Sequence, residues 1–215
     1  MKVAYDVPFF ANTADNTHCV QASLRMLLKY FEPDQEFSWE ELERITAKVE
    51  GLATWKSAMW IWLHRRGYEV RVVEGFNAKR FITEGAAYLR DEFGQEAADW
   101  QIRMSDVPQE QRLYRELLTL LSIDNRIPQI GDITRFLDQG YLVAASVNSR
   151  KLAKKSGYVG HSIVITGYDD GILRLNNPGL PANEGQIVSY EDFEAAWADP
   201  NDIAKEMFAI KKLAQ

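Results

Sequence analysis

The chemistry of this sequence centres on its one cysteine, Cys19. Cys19 follows a polar loop rich in turn-forming residues (12–17) and stands where a helix is predicted to begin. Unpaired backbone amides give a helix N-terminus a partial positive charge, which favours thiolate over thiol. Free cysteines are also common as small buried residues. The assignment of Cys19 as a nucleophile therefore depends on the polar residues that meet it.

Two residues in the second half of the chain supply what a cysteine nucleophile needs. His161 follows a flexible run (154–160) and opens a predicted strand, where we expect it at a sheet edge near solvent. Asn177 ends the next predicted strand, after the Asp170–Gly171 turn that is typical of a β-hairpin. Antiparallel pairing brings the start of one strand beside the end of the next, so His161 and Asn177 are predicted to be neighbours. A thiol, a base and an amide that orients the base form a nucleophilic catalytic site.

Predicted helices and strands place these residues on an α+β scaffold. Apolar spacing, helix caps and turn residues predict helices at 19–31, 39–49, 55–66, 130–138 and 190–197. Alternating and β-branched runs predict strands at 68–73, 141–147, 161–168, 172–175 and 207–211. Because helices come first and the pairing strands come last, the sequence predicts N-terminal helices packed on a mostly antiparallel sheet.

The segment 77–127 is helical in composition and heavily charged. Gly85, Gly94 and Pro108 interrupt it, so we expect two or three helices. We interpret the segment as a helical insertion within one domain that spans 1–215, packed outside the core. It is either a solvated addition or a lid that restricts entry to the site.

The composition is that of an ordinary globular protein, with 215 residues of which 46% are hydrophobic and 26% are charged. A net charge of −6 argues against broad binding of nucleic acid and against anionic membranes. A single cysteine excludes an intramolecular disulfide, and no apolar run approaches the roughly 20 residues of a membrane span. The N-terminus lacks the pattern of a signal peptide, so we expect a cytoplasmic protein.

We expect neither a metal ion nor another cofactor. Histidines and carboxylates do not cluster at the spacing of metal ligands, and no glycine-rich phosphate loop precedes a helix. His18 adjoins Cys19, but adjacent helical residues point about 100° apart, so we predict a loop-packing or substrate-side role for it. His64, in the last turn of a predicted helix, is predicted to be structural, and the tryptophans of 55–62 are typical of a core.

Several segments resemble the C39-like peptidases, which have a papain-like cysteine protease fold. NTHCVQASLRM (16–26) resembles the nucleophile helix of that family, and GHSIVITGYDDG (160–171) resembles its histidine strand. The helix–strand unit at 133–147 is similar to the element that precedes the histidine. The NNPG segment (176–179) falls where the family has its third catalytic position.

The resemblance covers 5–75 and 128–212 loosely. It implies a papain-like fold, with N-terminal helices packed on a mostly antiparallel sheet. It also implies roles for three residues: Cys19 would be the nucleophile, His161 the base and Asn177 the residue that orients the base.

Two positions depart from the family pattern. Asn177 stands where the family has aspartate, and Thr13 stands at the position of its oxyanion glutamine. Asn12 and Asn16 lie near that position and are weak candidates for the missing amide. One oxyanion donor is worth about 10²–10³ in rate, so Thr13 indicates a slow or a different chemistry.

The resemblance therefore implies a cysteine peptidase or amidase that acts on a peptide or amide substrate through a thioester. An acyltransferase that uses the same thiol is an alternative, and a non-catalytic binding module that keeps the cleft is another. A Cys19 sulfur within hydrogen-bonding reach of His161 favours the enzyme, whereas a sulfur buried in the core favours the module. The sequence leaves the substrate and the oligomeric state open.

Overall fold

A computed structural model describes residues 1–213, which contain nine α-helices, eight β-strands and a 3₁₀ helix at Asp202–Ala204. The helices are α1 Cys19–Phe31, α2 Trp39–Ile45, α3 Ser57–Arg65, α4 Ala78–Glu84, α5 Ala86–Arg103, α6 Val107–Leu120, α7 Ile130–Asp138, α8 Ser149–Leu152 and α9 Tyr190–Trp197. The strands are β1 Val3–Ala4, β2 Tyr68–Glu74, β3 Ile123–Asn125, β4 Leu142–Asn148, β5 Gly160–Asp169, β6 Ile172–Asn177, β7 Asn183–Ser189 and β8 Glu206–Lys212. None of the helices in this described part of the chain combines the length and the apolarity that crossing a membrane requires.

Local signals in the sequence set the ends of several helices. Ser38 caps α2 by accepting a hydrogen bond of 3.1 Å from the backbone amide of Glu41. Gly67 follows α3 with a φ of 86°, a left-handed conformation that favours glycine and ends helices. α2 stops at Ile45, short of its predicted end. The helices predicted at 19–31, 130–138 and 190–197 are confirmed.

One sheet contains all eight strands of residues 1–213, in the order β3-β2-β8-β4-β5-β6-β7, with β1 paired to β5. The pairings are antiparallel, apart from that of β2 with β3. The predicted hairpin is present, since Asp169 pairs with Ile172 across the Asp170–Gly171 turn. The predicted α+β class with a mostly antiparallel sheet is therefore confirmed, whereas β1, β3 and β7 were not predicted.

Helices cover both faces of the sheet. Along β4, Leu142 and Ala144 pack in the core beneath α1–α6, and Val143 and Ala145 pack in a second core beneath α7 and α9. This alternation follows from the two-residue period of a strand. Helix α1 packs against β5, so the helix that begins at the cysteine lies against the strand that carries the histidine.

The charged segment 77–127 forms α4, α5 and α6, with a kink in α5 at Gly94. Its expected placement outside the core is wrong, because Phe81, Tyr88 and Leu117 are fully buried in the same core as α1. The apolar faces of these helices, spaced among their charges, drive this packing. The segment also ends in β3, which pairs with β2 in the main sheet. Its description as an insertion within a single domain stays a prediction.

Candidate active site

A hydrogen-bonded loop holds the start of α1, where Cys19 lies. The side-chain oxygen of Asn12 accepts a hydrogen bond of 2.8 Å from the backbone amide of His18, the residue before the helix. The backbone amide of Asn12 donates to the carbonyl of Pro178 at 2.8 Å. Because Pro178 follows Asn177 directly, this loop ties the thiol to the segment that ends β6.

His161 lies near the start of β5, between β4 and β6, and only 8% of its surface is exposed. The expectation of a histidine at a sheet edge near solvent is wrong. Strand β4 pairs with β5 along this stretch, with His161 opposite Val147, and Gly179 lies against the ring. The Nε2 atom of His161 is 2.8 Å from the side-chain oxygen of Asn177, so these two residues are neighbours across the sheet.

Two further hydrogen bonds orient the Asn177 amide. Its oxygen accepts from the backbone amide of Gly179 at 3.0 Å, and its nitrogen donates to Gln186 at 2.9 Å. A β-carbon at position 179 would lie 3.0 Å from the Asn177 oxygen and 3.2 Å from His161 Nε2, which explains the glycine. Since an amide oxygen can only accept, His161 Nε2 donates to it, and Nδ1 is left for another partner.

Cys19 and His161 line the same cavity, and each side chain shifts the pKa of the other. Burial raises the pKa of Cys19. The opposing influences are larger in sum and lower this pKa: they come from the hydrogen bond and charge of His161, from the Ser162 backbone amide and from the charge of Lys56. Burial lowers the pKa of His161, but the contact with Cys19 and the hydrogen bond with Asn177 raise it, and the net direction is upward. Both shifts favour a thiolate–imidazolium pair.

The two asparagines considered as oxyanion donors belong to the loop. Asn12 Nδ2 donates to Asn16 Oδ1 at 2.9 Å, and neither residue is among the described residues that line the cavity beside Cys19. Asn12 and Asn16 are bound to each other within the loop, and their role as oxyanion donors stays a prediction. The backbone amide of Cys19 is different: as the first residue of α1 it has no acceptor within the helix.

A cavity of about 150 Å³ adjoins Cys19 and His161. Helix α5 forms part of its wall through Phe93 and Trp100, so the charged helical segment faces the thiol. The Gly160 position lies against the Trp100 ring, since a β-carbon there would be 3.1 Å from it. The site is therefore a recess between α1, β5 and α5.

A buried charged group that the sequence analysis missed lies in the same cavity. Lys56 is 5% exposed and donates to Ser146 Oγ at 2.7 Å and to the carboxylate of Glu206. Ser146 donates to the same carboxylate at 2.6 Å. Lys56 directly precedes α3, Ser146 lies on β4 and Glu206 begins β8. Because they are far apart in the sequence, no local pattern indicates that they meet. The one available signal was a lysine at the start of a helix, where a cation is unfavourable.

Lys56→Met is expected to destabilise the fold by about 3–5 kcal/mol, because it leaves the Glu206 carboxylate buried without its cation. The double variant Lys56→Met/Glu206→Gln is expected to recover most of this loss, since it removes both charges. Urea unfolding measures the free energy of each variant. A single variant as stable as the parent protein would contradict the buried ion pair.

The other two histidines have structural surroundings. His18 Nδ1 is 2.7 Å from Thr13 Oγ1, and its Nε2 is 2.7 Å from Glu43 Oε1, which is a loop-packing role. His64 is exposed in the last turn of α3. Within residues 1–213, no group of three or more His, Cys, Asp or Glu side chains is placed to hold a metal ion.

Comparison with known proteins identifies the family. The sequence matches the model of the Peptidase_C39 like family over residues 4–204. Because the match covers most of the chain, the protein belongs to the C39-like peptidase family, as the resemblance of its cysteine and histidine segments indicated. Curated protein sequences give no match.

Solved peptidase domains share the fold. The peptidase domain of Streptococcus ComA, a bifunctional ABC transporter involved in a quorum-sensing pathway, has a TM-score of 0.50 at 14% identity and covers 95% of this chain and 98% of that one. A double-glycine-motif protease from an AMS/PCAT transporter, in complex with a leader peptide, has a TM-score of 0.51 at 12% identity. The match covers 99% of this chain and 96% of that one. These matches confirm the predicted papain-like fold.

Proposed function

We propose that the protein is a cysteine hydrolase that cleaves peptide or amide bonds, with Cys19 as the nucleophile, His161 as the proton carrier and Asn177 as the orienting residue. The observation that carries this proposal is the placement of Cys19 and of the hydrogen-bonded His161–Asn177 pair at one cavity, where the thiol and the imidazole shift each other's pKa. Membership in a peptidase family supports the same class of reaction.

The proposed reaction has two halves. The Cys19 thiolate attacks the carbonyl carbon of the substrate, the carbon–nitrogen bond breaks, and the His161 imidazolium gives its proton to the leaving amine. A thioester to Cys19 remains. His161, now neutral, takes a proton from water, the hydroxide attacks the thioester, and the carboxylic acid leaves as the thiol is restored.

The backbone amide of Cys19 is the proposed oxyanion donor. It lies at the N-terminus of α1, adjacent to the attacking sulfur, and its partial positive charge faces developing negative charge on the substrate oxygen. This arrangement needs no side-chain amide, and one donor fewer than the family pattern is consistent with a slow enzyme.

The contacts of the thiol favour an enzyme over a binding module, since a module has no need of a polarised cysteine. An acyltransferase would form the same thioester and pass it to an amine in place of water, so the two enzymes differ only in the acceptor. A peptide is the proposed substrate, by analogy with the transporter protease that was solved with a leader peptide.

Labelling with electrophiles tests the proposal. A panel containing a haloacetamide, an epoxide and a vinyl sulfone is expected to place one adduct on Cys19, which intact mass and peptide mapping identify without ambiguity because the chain has one cysteine. The labelled protein is expected to lose cleavage of a quenched fluorescent peptide library. Equal cleavage by labelled and unlabelled protein would overturn the proposal.

Asn177→Ala is expected to lower kcat by about 10- to 100-fold, since a hydrogen bond to a charged group is worth about 1.5–3 kcal/mol. Asn177→Asp is expected to keep or raise the rate, because a carboxylate also accepts from His161 Nε2 and stabilises the imidazolium. Steady-state peptide cleavage compares the variants. Full activity of the alanine variant would show that Asn177 does not position His161.

We also propose that segment 77–127 restricts access to the site as part of a single domain that spans residues 1–215. Phe93 and Trp100 supply the support, because they stand in the wall of the cavity that Cys19 lines. The segment then selects substrates by size.

A further inference from the structure

The cavity beside Cys19 has an aromatic wall and a charged wall. The aromatic wall includes Trp55, Phe76, Phe93, Trp100, Tyr114 and Tyr158. The charged wall is formed by Lys56, Glu74 and Glu206, and Asp199 also lines the cavity. The thiol chemistry proposed above uses only the positive charge of Lys56, so the two carboxylates have no part in the proposed catalysis.

Glu74 and Glu206 are placed where the fold alone would not place them. They lie directly opposite each other on β2 and β8, in antiparallel register. Like charges at such positions destabilise a sheet, and Glu74 is only 2% exposed. An unfavourable pair of this kind, in the wall of a cavity beside a reactive thiol, indicates a ligand that neutralises it.

Both carboxylates have an oxygen without a partner. Glu74 Oε1 and Glu206 Oε1 are buried and make no hydrogen bond within residues 1–213. The other Glu74 oxygen receives one long hydrogen bond of 3.5 Å, from Tyr114. A buried carboxylate oxygen ordinarily has a donor, so a donor on a bound molecule is what these two oxygens lack.

The charges of Lys56, Glu74 and Glu206 do not balance one another. Lys56 is the one lysine or arginine that lines the cavity, as far as the described residues go, and it faces Glu74 and Glu206. Burial and the charge of Glu206 raise the pKa of Glu74 well above its usual range, whereas Lys56 and the Tyr114 hydrogen bond lower it. A second positive charge near Glu74 would favour its ionised form.

We propose that this cavity is a subsite for a lysine side chain of the substrate, whose ammonium group pairs with Glu74 and Glu206 after rotation of these side chains turns their buried free oxygens into the cavity. The aromatic wall covers the alkyl chain and adds cation–π attraction. An apolar cavity of the same 150 Å³ accommodates benzene, so the side chain fits. The position of this lysine next to the scissile bond rests on the proposed function of Cys19, whereas recognition of an ammonium group does not.

The test measures binding without turnover. Nα-acetyl-lysine methylamide and its neutral analogue Nα-acetyl-norleucine methylamide are titrated into the Cys19→Ala protein, with tryptophan fluorescence as the signal because Trp55 and Trp100 line the cavity. The lysine compound is expected to bind at least about tenfold more tightly, as a charge-assisted hydrogen bond requires. Equal or weaker binding of the lysine compound to the folded Cys19→Ala protein would overturn the subsite.

Substitution of one carboxylate locates the binding. Glu74→Gln is expected to weaken binding of the lysine compound by at least about tenfold and to leave binding of the norleucine compound unchanged. Glu110→Gln is the matched control. Glu110 is a buried carboxyl that accepts a hydrogen bond from Ser57, and it does not line the cavity. Unchanged lysine binding to a folded Glu74→Gln protein would contradict the subsite.

The two proposals fail in different ways. If Cys19 is not a nucleophile, the preference for lysine in binding persists without catalysis. If the subsite is wrong, peptides that carry norleucine in place of lysine are cleaved as fast as those with lysine, and catalysis persists.

Discussion

Cys19→Ala is expected to abolish peptide hydrolysis, with a loss of kcat of about 10⁶-fold, as occurs when the nucleophile of a catalytic triad is removed. The variant has no atom that can form the thioester, and neither His161 nor the Cys19 backbone amide can replace it. Alanine fits the half-buried position of the cysteine at the first residue of α1, so the fold is expected to stay intact. Single-turnover peptide cleavage measures the loss.

A second substitution separates nucleophilicity from packing. Cys19→Ser keeps the size and polarity of the side chain but lacks an easily ionised thiol, and it is expected to be nearly as inactive as alanine. His64→Ala changes an exposed residue at the end of α3 and is expected to cleave at the parent rate. Cleavage by Cys19→Ala within tenfold of the parent would show that another group performs the chemistry.

His161→Ala is expected to slow alkylation of Cys19 by iodoacetamide at pH 6 by about 100-fold. In the parent protein the downward shift of the Cys19 pKa keeps thiolate present below the usual range of a cysteine. Without His161, burial remains as the largest influence, and burial raises the pKa. An ordinary thiol of pKa about 8.5 is less than about 1% ionised at pH 6, which sets the size of the expected loss.

The pH profile of labelling distinguishes this effect from altered access. The parent profile is expected to rise well below pH 8, and the His161→Ala profile is expected to rise at or above it while reaching a similar plateau. His18→Gln, which alters a histidine adjacent in sequence but bound to Thr13 and Glu43, is expected to keep the parent profile. A parent thiol that labels only above about pH 8 would rule out the thiolate–imidazolium pair.

Local patterns account for the parts of the fold that the sequence predicted. Helix α1 and the β5–β6 hairpin follow from apolar period, turn residues and strand alternation, which act over a few residues. Those two elements carry Cys19, His161 and Asn177, so the three could be named and the pairing of His161 with Asn177 could be expected. Burial of His161 could not, because it depends on β4 and on the loop at Gly179.

The missed residues come together only through distant parts of the chain. Lys56, Ser146 and Glu206 meet from α3, β4 and β8, and Glu74 joins them because β2 pairs with β8. Nothing in the spacing of these residues indicates a contact. Strand β7 was missed because its polar sequence, with Gly185 at a φ of 64°, lacks the alternation that predicts a strand.

The oxyanion donor is a feature that distance along the sequence leaves open. Asn12 and Asn16 were chosen by their distance along the chain from Cys19, but loop geometry turns both amides toward each other. Sequence distance fixes neither the direction of a side chain nor the hydrogen bonds that compete for it. The proposed donor, the backbone amide of Cys19, is positioned by the helix itself, so its place follows from the predicted start of α1.

We propose that Cys19 carries the acyl group of the substrate as a thioester. Trapping this thioester is the direct test of that role. The protein is mixed with an activated ester of a lysine-containing peptide, quenched in acid within milliseconds to seconds, and measured by intact mass with peptide mapping. We expect an adduct on Cys19 whose added mass is that of the acyl group. It should form faster than product is released and be absent from Cys19→Ala. Hydrolysis of the ester without any adduct on Cys19, at a rate that Cys19→Ala reproduces, would contradict it.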